Sequence, residues 1–332
     1  LPAHFQEYES PHFIVLSDAA PDDVARLQQR LERAYDEFQR FCRRTRLEPE
    51  PLRHKLVTVL FAERTAYRAF AREQDAVTDP TVAGYYAPSH DRAVFYDART
   101  NPSVIDAERA LEEMKDDLET LSRRAADEKG HASDVRSHLA NYEAHYRRER
   151  AKLERFVRQV EAATTVHEAI HQLLYHTGIQ SRRLEYPVWL AEGLATPFET
   201  DDTALSFGPD RMYGPRQRAF IELLDADRLM PLETLISITP PALARSADAK
   251  DIYHQSYALT RWLLKRRPEG MRDYLERLRA EAPGEPSTVR LREIFEMSFG
   301  PISTLEQRWL RDERRTSRDV RLVTSPKPDS ND

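Results

Sequence analysis

Short apolar runs alternate with longer amphipathic stretches through the first hundred residues. Strand-like runs, several of them rich in β-branched residues, are found at residues 12–16, 56–61, 84–86 and 93–96. The last two runs flank a polar turn, which indicates a hairpin. Apolar residues at helical spacing follow the first run from Pro21 and the second from about Arg64. The pattern predicts a small α/β module over residues 1–100 that ends in an antiparallel edge strand.

Residues 101–160 have a different character, because charged side chains dominate and, beyond Pro102, Gly130 is the one glycine or proline. Apolar residues recur at helical spacing on both sides of Gly130, which predicts two long helices with Ser133 capping the second. No residue over 134–177 would break that second helix. We therefore expect an inserted helical hairpin, either a binding surface for a protein partner or a solvated arm that stabilises the fold.

The rest of the chain has the pattern of helices joined by short loops. The predicted helices cover residues 187–196, 217–225, 250–265, 270–280, 287–297 and 301–315. We expect a mostly helical region over residues 161–316 and a disordered tail over residues 317–332, which is polar and contains two prolines. The chain as a whole is predicted to be an α+β protein in which the N-terminal module packs on the helical region.

Composition argues against a nucleic-acid partner and against a membrane-spanning segment. The chain has 50 basic and 56 acidic residues, a net charge of −6, so no nucleic-acid partner is expected. No run of about eighteen apolar residues exists, so no transmembrane segment is expected. The single cysteine, Cys42, lies in an apolar-periodic helix and is expected to be a buried thiol. Because the chain begins at Leu1, removal of an export signal is expected, which favours a periplasmic or extracellular location.

Residues 167–171 read His-Glu-x-x-His, a pattern that points to metal chemistry. Histidines four residues apart lie on one face of a helix, so the imidazoles of His167 and His171 can point at one ion. Glu168 is turned about 100° from His167 around the helix axis, which places its carboxylate beside the ion, where it can take a proton from water. Gly178 is expected to end this helix.

A third ligand is suggested by the segment Trp-Leu-Ala-Glu-Gly that follows at residues 189–193. Pro187 suits the first turn of a helix, and Glu192 lies about a turn and a half inside that helix. Catalytic zinc commonly takes three protein ligands, and two histidines with one glutamate are one of the known sets. The small residues Gly193 and Ala195 are expected to let this helix approach the histidine helix closely.

The two motifs together resemble those of the gluzincin zinc metallopeptidases, and most closely the peptidase-MA-like bacterial proteins, many of which have no assigned substrate. The resemblance is strong over residues 160–200. It implies a zincin-type catalytic region that binds Zn²⁺ through His167, His171 and Glu192, with Glu168 as general base. In gluzincin aminopeptidases a tyrosine, followed three residues later by a small residue, stabilises the tetrahedral intermediate.

Tyr253 with Ser256 is similar to that arrangement, so Tyr253 is our first choice for this role and Tyr257 the second, although both tyrosines would also suit a core. Thr196, four residues past Glu192, is considered as a partner that orients a ligand histidine.

The activity that these features favour is hydrolysis of a peptide bond within a peptide or protein substrate. An extended substrate is expected to add to the sheet along the strand at residues 93–96. Two alternatives remain open at this point. One is a zinc aminopeptidase, which we rank lower because the Gly-x-Met-Glu-Asn segment of that branch is absent. The other is a non-catalytic, zinc-stabilised binding protein that works through the helical insertion.

Overall fold

The computed structural model describes residues 4–127, 132–243 and 246–324, and these have an α+β fold. The strands are β1 (Gln6–Glu9), β2 (Phe13–Ser17), β3 (Leu56–Phe61), β4 (Gly84–Ala87) and β5 (Arg92–Tyr96). They form one sheet in the order β1-β2-β3-β5-β4. The three inner strands are parallel, and the two edge strands, β1 and β4, are antiparallel to their neighbours. The predicted hairpin and antiparallel edge strand are confirmed, whereas β1 was not predicted.

The edge position of β4 corrects one expectation. Strand β5, at residues 92–96, was expected to offer its edge to a substrate, but it lies between β3 and β4 and pairs with both. Strands β3 and β5 are apolar and almost wholly buried, as inner parallel strands are. Strand β4 is shorter, and among the described residues one of its sides has no strand partner. Both β4 and β5 carry aromatic runs, so composition alone did not separate the edge strand from its neighbour.

The helices of the described residues number twelve. They are α1 (Pro21–Thr45), α2 (Arg64–Asp75), α3 (Pro102–Asp127), α4 (Ala132–His176), α5 (Val188–Ala195), α6 (Gly214–Asp225), α7 (Leu232–Leu235), α8 (Pro240–Leu243), α9 (Ala249–Arg266), α10 (Pro268–Arg279), α11 (Thr288–Phe299) and α12 (Ile302–Thr324). All six helices predicted after residue 186 are present, and α12 continues to Thr324, past the start of the expected tail. The remaining residues of that tail, 325–332, lie outside the described residues.

Helices α3 and α4 form the predicted insertion, and α4 is unbroken over 45 residues. At about 1.5 Å per residue it is about 68 Å long. The expected turn at Gly130 lies outside the described residues, as does the side chain of Ser133, the predicted cap. None of the helices of the described residues is long and apolar enough to cross a membrane.

The chain forms two compact units, each built from separate segments rather than from consecutive domains. Unit 1 comprises residues 1–33, 54–168 and 200–205, and it contains the sheet, α2 and the inserted hairpin. One hydrophobic cluster of this unit joins the sheet to α2: Val59, Phe61, Tyr67, Ala71, Tyr85, Ala87, Val94 and Tyr96. This cluster packs α2 on β3, β4 and β5, and so fixes the hairpin that contains the edge strand.

Unit 2 comprises residues 34–53, 169–199 and 206–332 and is helical. Its core contains an aromatic group in which the ring of Trp189 contacts those of Tyr274 and Phe295. Trp189 and Tyr274 are wholly buried, so this contact anchors α5 to α10 and α11. Cys42 is buried here as expected, and burial raises the pKa of its thiol to about 12, so it is unreactive at neutral pH.

Candidate metal centre

Helix α4 carries the His-Glu-x-x-His motif in its last third, and its apolar face is buried as predicted. The buried residues are Val166, Ala169, Ile170, Leu173 and Leu174. His167, Glu168 and His171 lie on the other face and are half-buried. The helix ends at His176, and Gly178 follows with φ of +69°, a left-handed conformation that favours glycine. The helix therefore presents both imidazoles and one carboxylate on a partly solvated face.

Helix α5 brings Glu192 to these residues. It begins at Val188, directly after Pro187, and Trp189 in its first turn holds it in the core. Oε2 of Glu192 lies 3.6 Å from Nε2 of His171. Since these atoms come from different helices, the distance between them depends on the position of α5 within unit 2.

Gly193 allows α5 to pack closely, but against α9 and not against α4, the helix expected from the sequence. A Cβ on Gly193 would lie 2.1 Å from Oγ1 of Thr260 and 3.0 Å from the carbonyl oxygen of Ser256, so the close approach of α5 is to α9. Thr260 also donates a hydrogen bond to the carbonyl of Trp189. Gly193 thus positions Glu192 by allowing α5 to sit against α9, and the expectation of close packing against α4 did not identify this partner.

One ligand atom from each of His167, His171 and Glu192 lies within 4.8 Å of the others. A tetrahedral zinc ion with bonds of about 2.0–2.1 Å separates its ligand atoms by about 3.3 Å, close to the 3.6 Å between His171 and Glu192. Two imidazoles and one carboxylate are also a donor set that zinc accepts. The residues present fit a zinc ion with small movements of the side chains.

Glu168 faces the sheet within unit 1. The backbone N–H of Tyr86 donates a hydrogen bond of 2.8 Å to its Oε2. Its carboxylate also lies near Tyr67, where burial and then the charge of Glu168 raise the pKa of the phenol. The edge strand β4 is therefore in direct contact with the carboxylate predicted to be the base. No pattern along the chain predicted this contact.

Strand β4 reaches α4 because Gly84 has no side chain. A Cβ there would lie 2.8 Å from Cγ2 of Thr164, three residues before His167, and 2.6 Å from Cδ1 of Phe95. Both distances are far inside van der Waals contact, so a larger residue would separate the strand from the helix. Gly84 and the hydrogen bond from Tyr86 together fix the position of β4 against the motif.

A buried carboxylate secures the other face of the same hairpin. Asp75, at the end of α2, is almost wholly buried and accepts hydrogen bonds from the hydroxyl of Tyr85 and from Arg92, while Nδ1 of His90 lies 2.6 Å away. Burial raises the pKa of the Tyr85 phenol, and the hydrogen bond to Asp75 raises it further. Asp75 thus ties β4, β5 and their turn together through one side chain.

The two predicted catalytic tyrosines occupy different environments on α9. Tyr257 is wholly buried, and its hydroxyl accepts a hydrogen bond from the backbone N–H of Tyr213. Tyr253 is half-buried, one turn earlier, and its ring centroid lies 5.9 Å from the guanidinium carbon of Arg216. These placements suit Tyr257 to a core role and leave Tyr253 as the tyrosine with solvent access.

Arg216 belongs to a charged group that sequence reasoning did not identify. Its Nε and one terminal nitrogen bind both carboxylate oxygens of Glu199 at 2.8 and 2.7 Å. Burial opposes its charge, but Glu199, with a smaller contribution from Glu192, raises its pKa above the ordinary value. Glu199 lies shortly after the Trp-Leu-Ala-Glu-Gly segment, whereas Arg216 belongs to no motif, so the fold brings the two together.

His254 completes this group. Its Nδ1 lies 3.5 Å from Nη1 of Arg216. Since a guanidinium only donates, we assign Nδ1 as the acceptor and place the ring proton on Nε2. Burial lowers the pKa of His254 and Arg216 lowers it further, against the opposing charges of nearby acidic residues. The neutral ring is therefore favoured near pH 7.

Thr196 does not make the contact considered for it. Its hydroxyl donates a 2.8 Å hydrogen bond to the backbone carbonyl of Glu192, one turn earlier. Thr196 is wholly buried. It therefore supports the end of α5 instead of orienting a histidine.

The comparisons with known proteins concern this part of the chain. Residues 161–285 match the family model described as Protein of unknown function (DUF1570). The matched segment contains His167, His171, Glu192 and Tyr253, and it excludes the sheet and most of the inserted hairpin. A comparison with curated proteins found no match. The match covers the helices that carry these candidate residues, and no activity comes with it.

Proposed function

We propose that this chain is a zinc-dependent peptidase of the gluzincin type, with endopeptidase action favoured. The observation that carries the proposal is the convergence of ligand atoms from His167, His171 and Glu192 within 4.8 Å, with Glu168 one residue from the first ligand. A structural zinc site is usually closed by four protein ligands and needs no base beside it. Three ligands and an adjacent carboxylate are what a hydrolytic site requires.

His167, His171 and Glu192 would hold the metal. When bound, zinc supplies Lewis acidity, which polarises a carbonyl and lowers the pKa of water towards about 7. The role that we assign to Glu168 is proton transfer: one carboxylate oxygen takes a proton from the attacking water and passes it to the leaving amine. The hydrogen bond from Tyr86 to Oε2 supports this role, because it fixes the orientation of the carboxylate.

Strand β4 is the element that we propose binds the substrate. Its outer side is unpaired in the described sheet, and it lies against the carboxylate of Glu168 through Tyr86. An extended peptide added along this edge would run past the base and make backbone hydrogen bonds regardless of its sequence. A strand edge accepts a chain that continues in both directions, which favours an endopeptidase over an aminopeptidase.

Tyr253 is our choice for the group that donates a hydrogen bond to the developing oxyanion. Removal of one such donor typically costs about 3 kcal/mol of transition-state stabilisation. Its half-buried position beside Arg216, which also contacts Glu199 and His254, supports this choice. Tyr257 is not given the role, because its hydroxyl is already engaged by the backbone of Tyr213.

The test is digestion of a mixed peptide library by zinc-loaded protein, with products identified by mass spectrometry. Glu168→Gln is the test variant, and Glu185→Gln, which alters an exposed carboxylate between α4 and α5, is the matched control. We expect cleavage by the wild type and the control but not by Glu168→Gln. Equal cleavage of N-acetylated and free peptides supports an endopeptidase. Unchanged cleavage by Glu168→Gln would exclude Glu168 as the base.

A further inference from the structure

Among the described residues, a second group of candidate metal ligands lies beside the end of α4. It consists of His54, just before β3, Asp91, in the turn between β4 and β5, and His176, the last residue of α4. One ligand atom from each of the three lies within 4.8 Å of the others. Segments that are remote in sequence therefore bring two imidazoles and one carboxylate to one place.

This group is separate from the candidate metal centre. His176 lies five residues past His171 on α4, so its side chain is turned about 140° away around the helix axis. The two histidines therefore cannot face the same ion. The convergence at His176 is a distinct feature of the fold.

The course of β4 along α4 places the turn of the hairpin near the end of the helix. Gly84 lies against Thr164, and the N–H of Tyr86 donates to Glu168, so the strand and the helix run in the same direction. Two strand residues, about 7 Å, match four helix residues, about 6 Å. The turn after β4 therefore points towards His176, which is about 12 Å beyond Glu168 along the axis.

A backbone contact fixes the segment that carries His54 at the same end of the helix. The N–H of Glu50 donates a 2.8 Å hydrogen bond to the carbonyl oxygen of Thr177, the residue that follows α4. His54 lies four residues past Glu50 on the segment that leads into β3. The approach of His54 to His176 is thus supported by main-chain hydrogen bonding.

The carboxylate of Asp91 is oriented as a metal ligand requires. Its Oδ1 accepts a 3.0 Å hydrogen bond from the hydroxyl of Tyr86, and its Oδ2 lies 4.0 Å from Nε2 of His54. The latter distance is too long for a hydrogen bond, whereas two ligand atoms of a tetrahedral zinc ion lie about 3.3 Å apart. A small movement of the side chains would therefore close the group around an ion. Ligating carboxylates are commonly held by such a second hydrogen bond.

Arg182 competes with a metal ion for His176. Its Nη2 donates a 3.0 Å hydrogen bond to Nε2 of the imidazole. A neutral imidazole that binds zinc through either nitrogen has no lone pair left for this bond, so zinc must displace the guanidinium. Arg182 is exposed and can turn into solvent. Zinc should therefore bind more weakly here than at the candidate metal centre and should be removed by dialysis.

We propose that His54, Asp91 and His176 form a second, exchangeable zinc site that fixes the turn of the β4–β5 hairpin to the end of α4. Two imidazoles and one carboxylate are ligands that zinc accepts, whereas calcium and magnesium prefer oxygen ligands. His54 is exposed and the other two residues are half-buried, so water can complete the coordination. Any effect on substrate binding by β4 rests on the function proposed above, but zinc binding at this site does not.

Isothermal titration calorimetry of the full chain, loaded with zinc and then dialysed, tests the site. We expect one further equivalent of zinc to bind with a Kd in the micromolar range. His54→Gln and Asp91→Asn should each raise this Kd at least about tenfold, whereas His145→Gln, at an exposed position earlier on α4, should leave it unchanged. Asn tolerates the φ of +53° at position 91 and still accepts the hydrogen bond from Tyr86, so the turn is retained. Absence of this binding event, or a Kd that neither ligand variant changes, would overturn the proposal.

Two further variants test the part of His176. His176→Gln should raise the Kd at least about tenfold. Arg182→Gln removes the competing hydrogen bond and should lower the Kd about threefold or more. An unchanged Kd in both variants would remove His176 from the site and overturn the proposal.

Hydrogen–deuterium exchange measures what the ion does to the hairpin. Added zinc should slow exchange over residues 84–96 in the wild type but not in Asp91→Asn. His171→Gln should lose the zinc of the candidate metal centre and keep both the micromolar binding event and the slower exchange, so failure of the proposed function leaves this test intact. Slower exchange that persists in Asp91→Asn, or that is lost in His171→Gln, would overturn the proposal.

Discussion

The backbone N–H of Tyr86 donates a 2.8 Å hydrogen bond to Oε2 of Glu168, which joins the edge strand of the sheet to the carboxylate proposed as the base. The same contact orients the carboxylate and fixes the position of β4 along the axis of α4. Any change that moves β4 should therefore affect catalysis without removing a metal ligand.

Gly84→Ala tests this coupling. The new Cβ would clash with Cγ2 of Thr164 and Cδ1 of Phe95, so β4 should shift away from α4 at a cost of about 1–3 kcal/mol in the free energy of unfolding. We expect kcat/KM for peptide cleavage to fall about tenfold or more, with zinc content retained. Adding Thr164→Ser removes one clashing atom and should restore part of the activity. Full activity in Gly84→Ala alone would contradict the coupling.

Gly193→Ala should weaken zinc binding, whereas Gly84→Ala should displace β4. Its Cβ would overlap Oγ1 of Thr260, forcing α5 away from α9 and Glu192 away from His171. We expect weaker zinc affinity, measured by competition with a chelating dye, and a loss of about 1–3 kcal/mol of stability. Thr260→Ala should relieve the worst overlap in the double variant. Wild-type zinc affinity in Gly193→Ala would show that Glu192 is not positioned in this way.

Tyr253→Phe and Tyr257→Phe form a matched pair on one helix. Tyr253→Phe should lower kcat about 10²–10³-fold while the zinc content and the unfolding midpoint stay near those of the wild type. Tyr257→Phe removes the acceptor for the N–H of Tyr213 and should cost about 1–2 kcal/mol of stability with little change in kcat. The opposite assignment of the two effects would make Tyr257 the catalytic tyrosine.

His254 gives a pH dependence with a defined sign. Burial and the charge of Arg216 lower its pKa in the folded chain, so below about pH 6.5 the unfolded chain binds the proton more readily. Stability should therefore fall as the pH falls from about 6.5 through the folded pKa. Urea unfolding at a series of pH values should show a weaker dependence for His254→Gln, and NMR titration should show a higher His254 pKa in Arg216→Gln. An unshifted pKa in Arg216→Gln would remove Arg216 as a cause.

Local patterns were sufficient to predict most of the fold. Strands rich in β-branched residues, the helix that begins at Pro21 and the long unbroken α4 all depend on neighbours in sequence, and all were found near their expected positions. The errors arose where pairing decides the structure. Strand β4 lies at the sheet edge because of the order in which strands pair, and β1 is short, polar and held by pairing with β2.

For the candidate site, too, local sequence predicted some features, and contacts between distant segments decided the others. His167, Glu168 and His171 share one helix, and the Trp-Leu-Ala-Glu-Gly segment marks Glu192, so the spacing of these residues was informative. Contacts between distant segments could not be anticipated. They include the hydrogen bond from Tyr86 to Glu168 and the ion pair of Glu199 with Arg216. Tertiary packing brings these partners together, and no sequence pattern marks them.

Zinc binding by the purified chain tests the central claim most directly. The wild type, His171→Gln and Glu192→Gln are equilibrated with zinc and dialysed, and the bound metal is measured by mass spectrometry and by X-ray absorption at the zinc edge. His145→Gln, at an exposed position earlier on α4, is the control. We predict one zinc per chain in the wild type and control, with imidazole ligands at about 2.0–2.1 Å, and a large loss in the other two variants. Zinc retained equally by all four proteins, or bound by none, would contradict the account.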